Sequence, residues 1–188
     1  MLAIPIDESG RFAGYASVFG RLDESGDIVM AGAFRKSLAK RGRERVRMLF
    51  QHDPKEPIGT WEAIAEDGFG LWVEGRLTGG VPRADALRRL IERRAVAGLS
   101  IGFRTVKASR EAGTGHRRLT EIDLWEISIV TFPMLDAARI SRRSASSSFG
   151  SVSPDQVRGP ARGASGPTAE RAFRLTRSLE AAISLLKQ

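Results

Sequence analysis

From Gly10 to about Ile140 the chain keeps one texture: short apolar stretches rich in β-branched and aromatic residues, cut repeatedly by Gly, Asp and Pro. Runs so short and so punctuated suit strands joined by turns, because a helix needs a longer stretch with a 3.6-residue period. The segments RFAGYASVF, RVRMLFQ, IGTWEAI, GLWVEGRL, SIGFRTVKA, HRRLTEI and LWEISIVTF are the expected strands. Two helical patterns interrupt them. GAFRKSLAKR is short, and VPRADALRRLIERRAVAG spaces Leu87, Leu90, Ile91 and Ala95 on one face, with Pro82 near its start and Gly98 expected as its C-terminal cap. Strands outnumber helices and the two do not alternate, so the pattern predicts a mainly β (α+β) fold, a mainly antiparallel sheet or barrel, and not a doubly wound one.

After Ile140 the texture changes. SRRSASSSFGSVSPDQVRGPARGASGPTAE is rich in Ser, Gly, Pro and Arg, the composition of a flexible linker. RAFRLTRSLEAAISLLKQ then sets Ala172, Leu175, Leu179, Ala182, Ile183 and Leu186 on one stripe, as in an amphipathic helix. Such a stripe needs something to dock on. The expected organisation is a folded domain over 1–140, a linker over 141–170 and a terminal helix over 171–188.

Composition narrows the chemistry. No cysteine is present among the 188 residues, which removes disulfides, thiolate zinc sites and a cysteine nucleophile. The start MLAIPIDESG has no basic leader, and no apolar run reaches the length of a membrane span, so a soluble, non-secreted chain without a membrane partner is expected. A formal charge of +8 would suit a polyanion. The basic residues are scattered and mostly balanced by acids, however, and no nucleic-acid motif accompanies them, so a nucleic-acid partner is not expected. DESGD at 23–27 lacks the glycine and terminal glutamate of a calcium loop and reads as a polar turn. No metal or cofactor is expected.

Three residues carry candidate chemistry. AVAGLSIGF contains Gly98, Ser100 and Gly102 in a G-x-S-x-G pattern. The hydrolase elbow of that pattern needs a strand before the serine and a helix after it, whereas here a helix enters and a strand leaves. Taken alone, Ser100 is a small residue between two structural glycines. His52 ends VRMLFQHDP, where alternation would put it on the face of Val46, Met48 and Phe50. That is an ordinary strand-end position, but also one that offers a general base a rigid backbone and partial burial. Glu126, in DLWEISIVTF, either faces outward on an edge or meets a cation or histidine, since a carboxylate among apolar neighbours is costly to bury unpaired. Asp53 is badly placed to orient His52, because adjacent strand residues point to opposite faces. His116, in AGTGHRR, reads as a solvated loop residue, and Arg104 shares the strand face of Ser100.

GYASVFGRLDESGDIVMAGAF, LFQHDPKEPIGT, AVAGLSIGF and LWEISIVTFPMLDAA, in this order, resemble the prohead proteases of tailed phages with the HK97-type capsid, a family also found in prophages and gene transfer particles. The likeness covers about Gly10 to Ile140. It implies a serine endopeptidase with a fold similar to the herpesvirus assembly proteases, an antiparallel β-barrel flanked by helices. It further implies cleavage of the scaffolding part of the major capsid protein, and of the protease itself, inside the assembling prohead in the bacterial host cytoplasm. Portal or scaffold are further partners on this reading, and a homodimer is compatible with it. The resemblance makes Ser100 the nucleophile, His52 the general base and Glu126 the third member. Met134 and Leu135 depart from the Ala-Asn the family often has after the proline of its last motif. Two rival functions are an inactive capsid or scaffold interaction module and a basic nucleic-acid-binding particle protein.

Overall fold

The protein is described here by a computed structural model covering residues 5–141. The linker expected beyond Ser141 and the helix expected over 171–188 lie outside the described residues. Seven strands and two α-helices follow one another as β1 (Arg11–Val18), β2 (Asp27–Val29), α1 (Arg35–Arg41), β3 (Arg47–Phe50), β4 (Asp53–Glu66), β5 (Gly70–Leu77), α2 (Pro82–Glu92), β6 (Gly98–Arg110) and β7 (Arg117–Val130). A short 3₁₀ turn, Arg43–Arg45, leads into β3.

All seven strands join one curled, half-barrel sheet in the order β1-β5-β4-β3-β7, with β2 also on β7 and β6 along β7's other side. The sheet is mainly antiparallel, as expected, but β2 and β3 both run parallel to β7. Each reaches β7 through a crossover rather than a hairpin, which is how parallel neighbours must connect. β7 therefore has β6 on one flank throughout, while on the other it meets β2 at residues 117–119 and β3 at 126–129. It is also longer than expected. HRRLTEI and LWEISIVTF are two halves of one strand, and the apparent break reflects the bulge that leaves Trp125 unpaired between Leu124 and Glu126.

The concave face packs Phe12, Met48, Ile58, Trp61, Leu71, Val73, Leu99, Leu124, Ile127 and Ile129 against Phe34 and the buried face of α2. In α2, Ala84, Leu87 and Ile91 are buried and Leu90 is 41% exposed, so the apolar stripe is narrower than its sequence spacing suggests. The helix also stops earlier than expected. The Arg94 amide bonds to the Ile91 carbonyl and the Ala95 amide to that of Leu90, a Schellman closure with Arg94, not glycine, at positive φ. Gly98 is thus not a cap. It opens β6, where a Cβ would sit 2.7 Å from the Val130 carbonyl oxygen and 2.8 Å from Pro133.

The two sheet edges, β1 and β6, are linked by residues 138–141. The Leu99 and Ser141 amides donate to Ala138 and Ala13, and isolated bridges pair Gly98 with Arg139 and Gly14 with Ile140. Gly14 permits this approach, since a Cβ there would lie 2.9 Å from the Ile140 Cα. Among the described residues no helix is long and apolar enough to cross a membrane.

Candidate active site

The register of β6 on β7 pairs Ser100 with Ser128 and Gly102 with Glu126. Opposed residues in an antiparallel pair share a face, with Cβ atoms about 4.5–5.5 Å apart. Ser100, Gly102, Glu126 and Ser128 therefore lie together on the face of the ribbon away from the core, while Leu99, Ile101, Ile127 and Ile129 turn to the core. On the other flank, β3 sets Leu49 beside Ser128 in parallel register. Leu49 and Val130 are buried on the same face, so the polar cluster has apolar neighbours, which strengthen its hydrogen bonds and make an unpaired group costly.

His52 reaches this face by a route that alternation does not foresee. β3 stops at Phe50, which pairs with Asp53, so Gln51 and His52 are the two central residues of a tight hairpin turn, not a continuation of the strand. Both have positive φ, 55° and 61°, as a type I′ turn requires. His52 thus leaves the face of Val46, Met48 and Phe50 that sequence alternation assigned to it. β7 holds the turn: Gln51 donates from its backbone to the Ile129 carbonyl and from its side chain to Thr131 Oγ1, and the His52 amide donates to Ser128 Oγ at 3.0 Å.

The imidazole and carboxylate meet. His52 Nδ1 lies 2.6 Å from Glu126 Oε1, and Ser128 Oγ donates to Glu126 Oε2 at 2.7 Å. Of the two readings of Glu126 open in the sequence, the structure realises the second: the residue is 9% exposed and faces a histidine. The His52 side chain keeps 25% exposure, so one edge of the ring is open to solvent, and Ser100 is 6% exposed. Gly102 supplies the room for the acid. A Cβ at 102 would fall on Glu126 Oε1 and lie 2.7 Å from its Cδ.

The other candidates sit elsewhere. Asp53 accepts the Lys55 amide and makes no described contact with His52. Arg104 lies 3.6 Å from Asp123 Oδ2 with 67% of its side chain exposed, so it pairs with a surface acid. Burial acts to raise Asp123, but hydrogen bonds from Arg41 and Trp125 and the charge of Arg41 outweigh it and hold this carboxyl below its ordinary value. His116 occupies the turn between β6 and β7, 3.9 Å from Glu111, at the far end of a ribbon that puts it roughly 30 Å of strand from Glu126. In DESGD, Asp23 Oδ1 accepts the Ser25 hydroxyl and the Ser25 and Asp27 amides, a local turn. Among the described residues no cluster of three or more His, Asp or Glu side chains is placed to hold a metal.

Sequence reasoning passed over Ser128 and assigned Gly102 only a backbone role. The available signal was the E-I-S spacing in β7, which puts a hydroxyl on the carboxylate's own face two residues on.

Residues 2–150 match the family model described as caudovirus prohead serine protease. The prohead protease of Enterobacteria phage HK97 is 40% identical over 136 residues, covering 71% of this chain and 60% of that protein. That of Escherichia phage T5 is 27% identical over 124 residues, covering 65% and 58%. The chain spans about three fifths of the length of these curated relatives. Among solved structures, the bacteriophage T4 capsid assembly protease aligns with a TM-score of 0.55 at 14% identity, covering 65% of this chain and 82% of that one, a likeness of fold. The KSHV protease bound to a hexapeptide phosphonate inhibitor aligns at 0.46 and 11% identity over 69% of this chain and 63% of that one, too loosely to carry an argument. The chain belongs to the caudovirus prohead serine protease family.

Proposed function

We propose that this member of the family is a serine endopeptidase that cleaves the scaffolding part of the major capsid protein, and itself, while a prohead matures. The observation that carries the reading is the 2.6 Å contact of His52 Nδ1 with Glu126 on the sheet face that also bears Ser100. With Nδ1 engaged by the carboxylate, Nε2 is the nitrogen left to act as base. His52 takes the Ser100 hydroxyl proton as Oγ attacks the peptide carbonyl, and returns it to the departing amine when the C–N bond breaks. Water then repeats the sequence, its proton going to His52 and its oxygen to the acyl carbon, and Ser100 leaves reprotonated. Glu126 fixes the ring and stabilises the imidazolium formed in each half-reaction.

On this reading the major capsid protein with its scaffolding segment is the partner, portal and scaffold are further ones, a homodimer is the compatible assembly, and the site of action is the prohead interior in the bacterial host. Residues 1–140 are the protease domain, 141–170 the linker and 171–188 a helix that tethers the enzyme to shell precursors. Coexpression with the neighbouring capsid protein tests the chemistry: its intact mass should fall with wild type and stay whole with Ser100→Ala. Shortening by the alanine variant would sink the proposal. A chain ending at Ser141 should keep peptidase activity but enter proheads less, and normal incorporation would remove the tether.

A further inference from the structure

We infer that Ser128 is a positioning residue that locks the His52–Glu126 pair, an inference resting on the proposed triad. Three hydrogen bonds form a closed loop: the His52 backbone amide donates to Ser128 Oγ at 3.0 Å, the Ser128 hydroxyl to Glu126 Oε2 at 2.7 Å, and His52 Nδ1 to Glu126 Oε1 at 2.6 Å. The loop leaves the hydroxyl one orientation. A serine oxygen has one proton and two lone pairs, and the His52 amide occupies a lone pair, so the proton is directed to the carboxylate. Ser128 is fully buried, so both bonds are shielded from bulk solvent.

The consequence lies with the carboxylate. A glutamate accepting only from an imidazole can swing about its last torsion, a broad one. With Oε2 tied to Ser128, Oε1 stays aimed at Nδ1. Ser128 also ties that aim to the backbone of the base, because the amide it accepts belongs to His52, held at positive φ. Turn, acid and ring become one unit. Ser100 joins it as the register partner of Ser128 across the ribbon.

A buried serine can also serve packing alone, and the molecule contains a matched control. Ser37 on α1, 7% exposed, accepts the Leu124 amide at 2.8 Å and lies 3.5 Å from Asp123 Oδ1, repeating the link of amide, hydroxyl and carboxylate away from the histidine. Full-length wild type, Ser128→Ala and Ser37→Ala would be compared by the second-order rate of Ser100 phosphonylation by a fluorophosphonate, by Tm, and by the low-field proton resonance of the Nδ1–H. Loss of a partner that orients a metal-ligating side chain costs about 10–100-fold; by analogy Ser128→Ala should slow by about that factor while its low-field signal broadens into solvent exchange. Ser37→Ala should lose Tm similarly, yet keep the wild-type rate and signal. Wild-type labelling by folded Ser128→Ala, or equal slowing by Ser37→Ala, would overturn the role of Ser128 and leave the triad standing. A wild type that takes no fluorophosphonate on Ser100 would overturn the triad itself, and this inference with it.

Discussion

At one end of the β6–β7 ribbon Glu126, 9% exposed, lies between an imidazole and a serine hydroxyl; at the other Asp27, 3% exposed, is gripped by Arg117 through two bonds of 2.6 and 2.5 Å. Both acids are withdrawn from water and both are satisfied, but the partners differ in what they can change. A guanidinium keeps its charge at any accessible pH. The hydrogen bonds that Arg117 donates to Asp27 push the guanidinium still further above its ordinary value, so that pair is permanently closed. It pins β2 to β7, where Asp27 and Arg117 are also register partners. An imidazole gains and loses a proton near neutrality. The partner, more than the burial, separates an acid that holds a fold from the one proposed to serve a reaction.

Breaking the end proposed to be catalytic should have the largest effect. Glu126→Gln keeps shape but not charge, and amide replacement of the orienting acid in a serine protease triad costs about 10⁴ in rate in the chymotrypsin-type case. Turnover should fall by that order, with Tm nearly unchanged, in the same peptide-cleavage assay that reads wild type. Gly102→Ala should come next. Its methyl would displace the Glu126 carboxylate, and a misplacement of about 1 Å can cost roughly 10²-fold; a variant with wild-type turnover would show that the acid tolerates another position. At the structural end, Asp27→Asn should cost about 1.5–3 kcal/mol in denaturant unfolding, the value of hydrogen bonds to a charged group, and leave turnover of the folded fraction intact. A drop in turnover there would mean that the two ends are coupled. His116→Ala, in the turn between β6 and β7, should stay within about 0.5 kcal/mol and change neither quantity. If His116→Ala and Glu126→Gln exchanged their effects, the proposed third member would be misassigned.

Much of this contrast could be read before any coordinates, in places where local chemistry and tertiary structure agree. GLWVEGRL became β5 from its first residue to its last, because Gly70 and the glycines after Thr78 punctuate it. Ser100 and Glu126 sit in strands as expected, and alternation carries each to a definite face. The failures have physical causes. β2 has three residues, too few for a period to show. Parallel pairing of β3 with β7 is a long-range choice that no local spacing records. The His52 turn lacks the Asn-Gly pair that usually marks a type I′ hairpin, so alternation was carried through a corner that the chain in fact turns. Ser128 shows in the sequence only as a hydroxyl two residues after Glu126, and the contacts that give it weight come from what the fold places around it.

That corner has a consequence for the molecule's history. Positive φ is uncomfortable for residues with a Cβ, and each instance costs of the order of 1–3 kcal/mol. The hairpin would hold together better with asparagine and glycine at 51 and 52, and the double substitution Gln51→Asn with His52→Gly should raise Tm while ending hydrolysis. Thermal tolerance and turnover are thus set against each other at two adjacent positions. On the proposed mechanism, selection for robustness alone would drift toward a sturdier, silent protein, with the histidine lost from this corner.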